Sequence, residues 1–118
     1  MNPPVTVYGI PNCDSVKKAR AWMDAHQVAY TFHDFKKLGV PTDALAHWLA
    51  RAGWETLLNR KGTTWRQLSA EVQASVVDAA SAAALMQAQP SVIKRPVVTC
   101  GDQVLVGVNA DAWQRVLS

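Results

Sequence analysis

Residues 5–17 read Val-Thr-Val-Tyr-Gly-Ile-Pro-Asn-Cys-Asp-Ser-Val-Lys, and the prediction of the fold starts from them. The first part, Val5 to Gly9, is β-branched and aromatic, which is typical of a short buried strand. A proline-containing turn follows at 10–12. After it, apolar residues repeat at helical spacing as far as about Gln27, namely Val16, Ala19 and Met23. Cys13 is therefore predicted at the junction of a strand and a helix.

The rest of the chain predicts a second strand, a helical middle and a hairpin followed by a helix. Residues 29–35 alternate aromatic and polar side chains, which favours a strand. After Pro90 the pattern becomes β again, with a hairpin signal at Gly101-Asp102. The predicted elements of these later parts are helix 43–51 capped by Thr42, a short helical turn 54–58, a polar loop 59–64, a segment capped by Ser69, helix 78–88, strands 96–100 and 103–108, and helix 110–117 capped by Asn109.

This order predicts an α/β fold of the thioredoxin-like kind. A βαβ unit and a ββα unit together form a mixed four-stranded sheet, and a helical insertion at about 42–90 separates the two halves. With 118 residues and no linker or internal repeat, the chain is predicted to form a single domain, 1–118.

Composition and charge exclude several classes of function. The net charge is +3, and the basic residues are scattered in pairs, as at 17–18, 36–37 and 60–61, so no nucleic-acid partner is expected. No apolar stretch is long enough to span a membrane, and residues 1–4 do not resemble a secretory signal. Two cysteines, Cys13 and Cys100, fit a reducing compartment better than a disulfide framework, so we expect a cytoplasmic protein, and a monomer.

Cys13 is the candidate nucleophile because of its predicted place at a helix N-terminus. The free amides and the dipole of a helix stabilise a thiolate there, Lys17 one turn further adds to this, and Asp14 opposes it. The alternative is a buried apolar cysteine without chemistry. Position 16 is valine, so no Cys-x-x-Cys pair exists and a mixed disulfide on Cys13 needs an external thiol, for which glutathione is the obvious candidate. Cys100 is expected to be an inert strand cysteine, or to resolve the disulfide if the fold brings it close.

No cofactor signature accompanies this thiol. The sequence has no Walker loop, no Gly-x-Gly-x-x-Gly and no histidine or cysteine spacing typical of a metal site, so we expect no metal, flavin or nucleotide.

Three segments together resemble the arsenate reductase/Spx (ArsC-like) family of bacterial thioredoxin-like proteins. They are 8–20 (Tyr-Gly-Ile-Pro-Asn-Cys-Asp-Ser-Val-Lys-Lys-Ala-Arg), 93–98 (Ile-Lys-Arg-Pro-Val-Val) and 105–111 (Leu-Val-Gly-Val-Asn-Ala-Asp). A fourth segment, 57–68, is similar to the YffB-type subgroup. The resemblance covers essentially the whole chain. It implies that Cys13 is the catalytic cysteine.

The resemblance also implies the binding residues. Arg95 matches the arginine that holds an oxyanion in arsenate reductases, and Pro96 matches the proline that is usually cis beside the reactive thiol. Arg60 or Lys61 lies where another oxyanion-binding arginine is expected. Asn12 and Lys17, on either side of Cys13, complete the candidates for binding the substrate or glutathione.

Two departures from the family pattern argue against arsenate as the substrate. The late hairpin, Leu105 to Val108, lacks the further arginine of glutathione-coupled arsenate reductases, and Asp14 places a negative charge next to the cysteine. The predicted function is therefore a glutathione-dependent thiol–disulfide reductase with one cysteine nucleophile. The alternatives are an arsenate reductase with an altered oxyanion pocket, and an Spx-like redox or regulatory protein that binds RNA polymerase with Gly53 near the contact. Spx-type sensors commonly carry a Cys-x-x-Cys switch, which Val16 removes here.

Overall fold

The computed structural model describes residues 3–117, and these fall into two compact units. Within the described range, the first unit contains residues 3–38 and 95–117, and the second contains residues 39–94. The predicted domain limits at residues 1 and 118, and the first two residues used in the leader prediction, lie outside the described range. The single domain itself stays a prediction.

The first unit is a four-stranded mixed sheet with helices, as the sequence predicted. Its elements are β1 (Val5–Gly9), α1 (Asp14–Ala25), β2 (Thr31–Asp34), α2 (Phe35–Leu38), β3 (Val97–Cys100), β4 (Gln103–Val106) and a C-terminal helix (Ala110–Leu117). The strand order is β2-β1-β3-β4, with β1 parallel to β2 and with β3 antiparallel to both β1 and β4. This is the thioredoxin-like α/β arrangement.

The register of the sheet fixes which strand ends meet. Val5 pairs with Cys100, and Tyr8 pairs with Val97, across β1 and β3. Because β1, β2 and β4 run in the same direction and β3 runs against them, the carboxyl ends of three strands share an edge with the amino end of β3. The segments that follow or precede these ends are 10–13, 35–38, 95–96 and 107–109. We call them the Cys13 edge.

One face of the sheet carries the core of the first unit. Alternate residues of β1, Val5 and Val7, are buried there together with Val98 and Cys100 of β3, and α1 and the C-terminal helix contribute Ala19, Met23, Trp113 and Leu117. These positions repeat at a period of two in the strands and at helical spacing in α1, which is why the sequence pattern predicted both elements.

The second unit consists of short helices around its own buried side chains. Its elements are α3 (Thr42–Ala52), α4 (Trp54–Leu57), α5 (Thr63–Gln67), α6 (Ala70–Ser75), α7 (Ala79–Ala88) and a 3-10 turn (Pro90–Val92). A single antiparallel bridge joins Leu58 to Ile93 among these residues, and Asn59 N–H donates to Val92 O at 2.8 Å. Its large buried side chains include Trp48, Leu57 and Met86.

The structure corrects several predicted element boundaries. The second strand begins at Thr31 rather than at residue 29, and Phe35 opens the unpredicted turn of helix α2, where Asp34 Oδ1 accepts a hydrogen bond from Lys36 N–H at 2.8 Å. The last two residues of the predicted loop 59–64, Thr63 and Thr64, already belong to helix α5. Strand β4 ends at Val106 instead of Val108, because the chain turns away at Gly107.

The predicted helix caps are partly correct. Ser69 Oγ accepts from Val72 N–H at 3.2 Å, and Asn109 Oδ1 accepts from Ala112 N–H at 3.1 Å, as expected for capping residues. Thr42 is not a cap, since the N-cap of α3 is Pro41 and Thr42 is already helical. Asp78 lies one residue before α7 and forms a capping box with Ser81.

Candidate functional site

Cys13 occupies the N-cap position of α1. Its backbone is extended, with φ of −139° and ψ of 125°, and its carbonyl accepts the first helical hydrogen bond, from Lys17 N–H, at 2.9 Å. The side chain is half-buried and makes no capping hydrogen bond within residues 3–117. N-cap side chains ordinarily accept hydrogen bonds from the amides of the first turn. The Cys13 side chain therefore lies at the position where a helix offers free N–H groups and a positive potential.

A close contact between β1 and α1 fixes where the helix begins. A Cβ added to Gly9, the last residue of β1, would lie 2.6 Å from Cγ2 of Val16, which is well inside van der Waals contact. Val16 itself is 0% exposed. Only four residues separate Gly9 from the helix that starts after Cys13, so a shift of α1 at this contact would also move the thiol. Gly9 could not be identified from the sequence, because nothing in it shows how closely the two backbones approach.

Pro96 immediately precedes the neighbouring strand β3, at the same edge of the sheet. The Arg95–Pro96 peptide bond is cis, as the resemblance implied, and Pro96 is fully buried. Its carbonyl accepts a hydrogen bond from Gly107 N–H at 2.9 Å, which joins the start of β3 to the turn after β4. Arg95 is half-buried, and its Nε atom is buried.

The structure brings four of the predicted site residues to the Cys13 edge and a fifth beside it. Cys13 and Asn12 follow β1, Arg95 and Pro96 precede β3, and Lys17 is exposed in the first turns of α1. Asn12 is also exposed, as is Asp14. Whether these residues bind a substrate stays a prediction.

Arg60 and Lys61 belong to the second unit. The guanidinium of Arg60 lies over the ring of Trp54, 5.5 Å from its centroid, and both Arg60 and Lys61 are exposed. Lys61 N–H donates to Asn59 Oδ1 at 3.2 Å, which braces the loop that carries both cations. Their predicted part in binding glutathione stays a prediction.

Cys100 lies at the other end of the sheet. It pairs with Val5, the first residue of β1, whereas Cys13 follows the last residue of that strand. The strand from Val5 to Gly9 spans about 13 Å and Cys13 lies beyond its far end, whereas a disulfide needs Cα atoms within about 7 Å. Cys100 is buried, and its thiol contacts Pro3 O at 3.7 Å. The geometry thus supports the expectation that Cys100 is an inert strand cysteine, rather than the alternative that it resolves a mixed disulfide on Cys13.

No residue cluster within 3–117 has the arrangement of a metal site, judged by groups of three histidine, cysteine or acidic side chains. None of the helices in this range is long and apolar enough to cross a membrane.

The sequence pattern of the ArsC family matches residues 8–116. This chain belongs to the ArsC family. A solved structure of a protein called YFFB is 49% identical and covers 97% of this chain and 99% of its own, with a TM-score of 0.92. An arsenate reductase (ArsC) related protein from Brucella melitensis is 48% identical, covers 95% of this chain and 92% of its own, and has a TM-score of 0.74.

A third relative comes from a different functional class. The global transcriptional regulator Spx 1 of Lactococcus lactis is 26% identical over 91% of this chain and 84% of its own length. The ArsC family thus relates this chain both to arsenate reductase-like proteins and to a transcriptional regulator, as the sequence resemblance implied.

Proposed function

We propose that this ArsC family protein is a glutathione-dependent thiol–disulfide reductase with Cys13 as its single nucleophile. The observation that carries the proposal is the place of Cys13, half-buried at the N-cap of a twelve-residue helix, on the same sheet edge as the cis proline Pro96. A thiol there lies at the helix end that offers free N–H groups and positive potential, and it remains open to a disulfide. The reducing cytoplasm is the compartment in which such a thiol would work.

Cys13 takes part in two exchange steps. The Cys13 thiolate attacks one sulfur of a disulfide, a Cys13–sulfur bond forms, and the other half leaves as a thiolate. Glutathione thiolate then attacks the mixed disulfide and releases Cys13 as a thiolate. These two steps leave glutathione joined to the attacked half of the disulfide. A second glutathione thiolate then releases that half as a thiolate and forms oxidised glutathione, which completes the reduction of the original disulfide. An external thiol is needed for the second step because the sheet register holds Cys100 at the far end of β1 and β3.

Arg95 is the proposed carboxylate-binding group for glutathione. A guanidinium presents a planar fork of donors that matches a carboxylate, whereas a lysine presents a single charged point. Since Arg95 immediately precedes Pro96 at the Cys13 edge, it is the arginine of the first unit best placed for this role.

The test is to incubate the protein with oxidised glutathione and to measure its intact mass by mass spectrometry. One glutathione adduct on wild type, retained in Cys100→Ser and absent from Cys13→Ser, is the expected result. Arg95→Ala is expected to slow adduct formation more than Arg95→Lys does. No adduct on wild type, or an adduct confined to Cys100, would contradict the proposal.

Arsenate reduction is the second enzymatic candidate, and the relationship to an arsenate reductase related protein favours it. Asp14, exposed next to Cys13, opposes a bound anion, and β4 with its following turn supplies no arginine. We expect no steady arsenate reduction with glutathione and glutaredoxin. Steady turnover that is lost in Cys13→Ser would overturn this expectation.

A regulatory role is the alternative from another class, and the relationship to Spx 1 favours it. Gly53, between α3 and α4, is the residue that the resemblance connects with binding of RNA polymerase. A pull-down from cell lysate that captures polymerase subunits with wild type, but not with Gly53→Arg, would establish this role in place of the reductase. Absence of polymerase subunits from the wild-type pull-down would exclude this regulatory role.

A further inference from the structure

The large apolar side chains that are exposed in the first unit are concentrated at the Cys13 edge. Among the described residues, four large apolar side chains are exposed, namely Leu38 at 65%, Val72 at 38%, Val77 at 70% and Val108 at 48%. Leu38 and Val108 belong to the first unit, Leu38 at the end of α2 and Val108 in the turn after β4. Both positions follow carboxyl ends of strands, as Cys13 does. Single exposed apolar residues are common on surfaces, but two on the edge that carries a reactive thiol need an explanation.

Val108 is held in place by anchors on both sides. Gly107 N–H donates to Pro96 O at 2.9 Å, and Asn109 Oδ1 accepts from Ala112 N–H at 3.1 Å as the cap of the C-terminal helix. Asn109 O also accepts from Trp113 N–H at 3.0 Å. A β-branched side chain between two fixed residues has few conformations to lose on binding. The turn therefore presents an apolar surface at little entropic cost.

Charged residues of both signs surround this apolar surface. Lys36 and Lys37 occupy the last turn of α2, and Lys17 is exposed near the start of α1. Asp14 and Asp111, in the first turns of α1 and of the C-terminal helix, are also exposed. The exposed apolar side chains, rather than the charges, therefore determine which neighbours of a substrate cysteine complement this edge.

We propose that the Cys13 edge binds a protein substrate, a glutathione mixed disulfide on a cysteine that has apolar neighbours. This proposal rests on the proposed thiol–disulfide function and specifies its substrate class. Val108 and Leu38 contact the apolar residues beside the substrate cysteine. The Cys13 thiolate attacks the glutathione sulfur, the protein cysteine leaves as a thiolate, and Cys13 is left joined to glutathione. A second glutathione then releases Cys13 and forms oxidised glutathione.

Two glutathionylated peptides that differ only beside the cysteine test the proposal. One has the sequence Glu-Leu-Cys-Leu-Glu and the other Glu-Ser-Cys-Ser-Glu, and formation of oxidised glutathione gives kcat/KM for each after subtraction of the uncatalysed rate. Wild type is expected to prefer the leucine peptide by about three- to tenfold, since Val108 is half covered already and buries only its remaining surface. Val108→Ser and Leu38→Ser are each expected to lower this ratio, and Val108→Ser to bring it below about twofold.

Val77→Ser is the matched control. Val77 is an exposed valine of the second unit, between α6 and α7, and its replacement is expected to leave the ratio unchanged. Equal rates with both peptides on wild type, or an unchanged ratio in Val108→Ser, would overturn the protein-substrate proposal while leaving the reductase function intact. No reaction of Cys13 with oxidised glutathione or with either peptide would overturn both.

Discussion

Replacing Gly9 by alanine tests how the fold positions Cys13. The added Cβ would lie 2.6 Å from Cγ2 and 3.5 Å from Cγ1 of Val16, and carbon atoms pack best at about 3.5–4.0 Å. Val16 cannot easily rotate away, because β-branched residues in helices strongly prefer one rotamer and this side chain is completely buried. We therefore expect a loss of about 1–3 kcal/mol in the free energy of unfolding, the usual cost of overpacking.

A double-mutant cycle with Val16→Ala isolates this contact. Val16→Ala alone removes two buried methyl groups and is expected to cost about 1–3 kcal/mol, at about 0.5–1.5 for each group. In the double variant the atom nearest the new methyl group is Cβ of residue 16, whose distance of 3.6 Å is an ordinary contact. The double variant should therefore be more stable than the sum of the single effects predicts, by about 1 kcal/mol or more.

Urea unfolding followed by tryptophan fluorescence gives the free energy of unfolding of the wild type, the two single variants and the double variant. These values are comparable if the dependence of the free energy on urea concentration is equal in all four proteins. Gly62→Ala is the control, since its Cβ would approach the terminal Nδ2 of Asn59, at 2.8 Å, rather than a fully buried branched side chain. Additive effects of Gly9→Ala and Val16→Ala would refute the reasoning. The rate of glutathione addition to Cys13 should fall in Gly9→Ala and recover in the double variant, if the contact also positions the thiol.

Three further predictions concern stability. Gly53 has φ of 86° and ψ of 149°, a backbone region nearly restricted to glycine. Gly53→Ala should therefore lower the free energy of unfolding by about 1–3 kcal/mol, although the added Cβ would meet nothing within 4 Å. An unchanged urea midpoint would contradict this prediction. Hydrogen bonds from the backbone and side chain of Ser81 lower the pKa of Asp78. The stabilisation from its charge is therefore present above the unfolded pKa of 3.8 and is lost as the pH falls through the lower folded value. Urea midpoints of wild type and Asp78→Asn should accordingly converge in acid, and a constant gap between them would refute the assignment. Within residues 3–117 the buried Nε1 of Trp113 has no hydrogen-bond partner. Trp113→Phe should therefore lower the free energy of unfolding much less than Trp113→Ala, which should lower it by roughly 3–5 kcal/mol. Equal losses of unfolding free energy in urea would contradict this prediction.

The sequence predicted those parts of the fold that depend on periodicity and on capping. The apolar spacing of Val16, Ala19 and Met23 specified α1, and these three side chains are the buried residues of that helix. Ser69 and Asn109 were correctly identified as caps because their hydroxyl and amide groups act locally, within three residues. Such features need no knowledge of distant parts of the chain.

The missed elements lie where local patterns were ambiguous. The alternation of aromatic and polar residues continues through Phe35, but the carboxylate of Asp34 binds the amide of Lys36 and turns the chain into α2. Residues 63–67 are mostly polar and their helix has no buried side chain, so the sequence contains no apolar pattern that predicts this helix. Features set by strand register could not be predicted either, including the approach of Gly9 to Val16 and the bond between Gly107 and Pro96.

The two cysteines show how far the candidate site depends on tertiary structure. Both follow or end a short β segment, and either could be an apolar filler by its neighbours in sequence. The register of β1 with β3 separates them, since it places Cys100 opposite Val5 in the core cluster and leaves Cys13 beyond the other end of β1. The same register brings Pro96 and the anchored turn at Val108 to the edge of Cys13. A cysteine becomes a candidate nucleophile here because of the strand end that it follows and the helix that it caps.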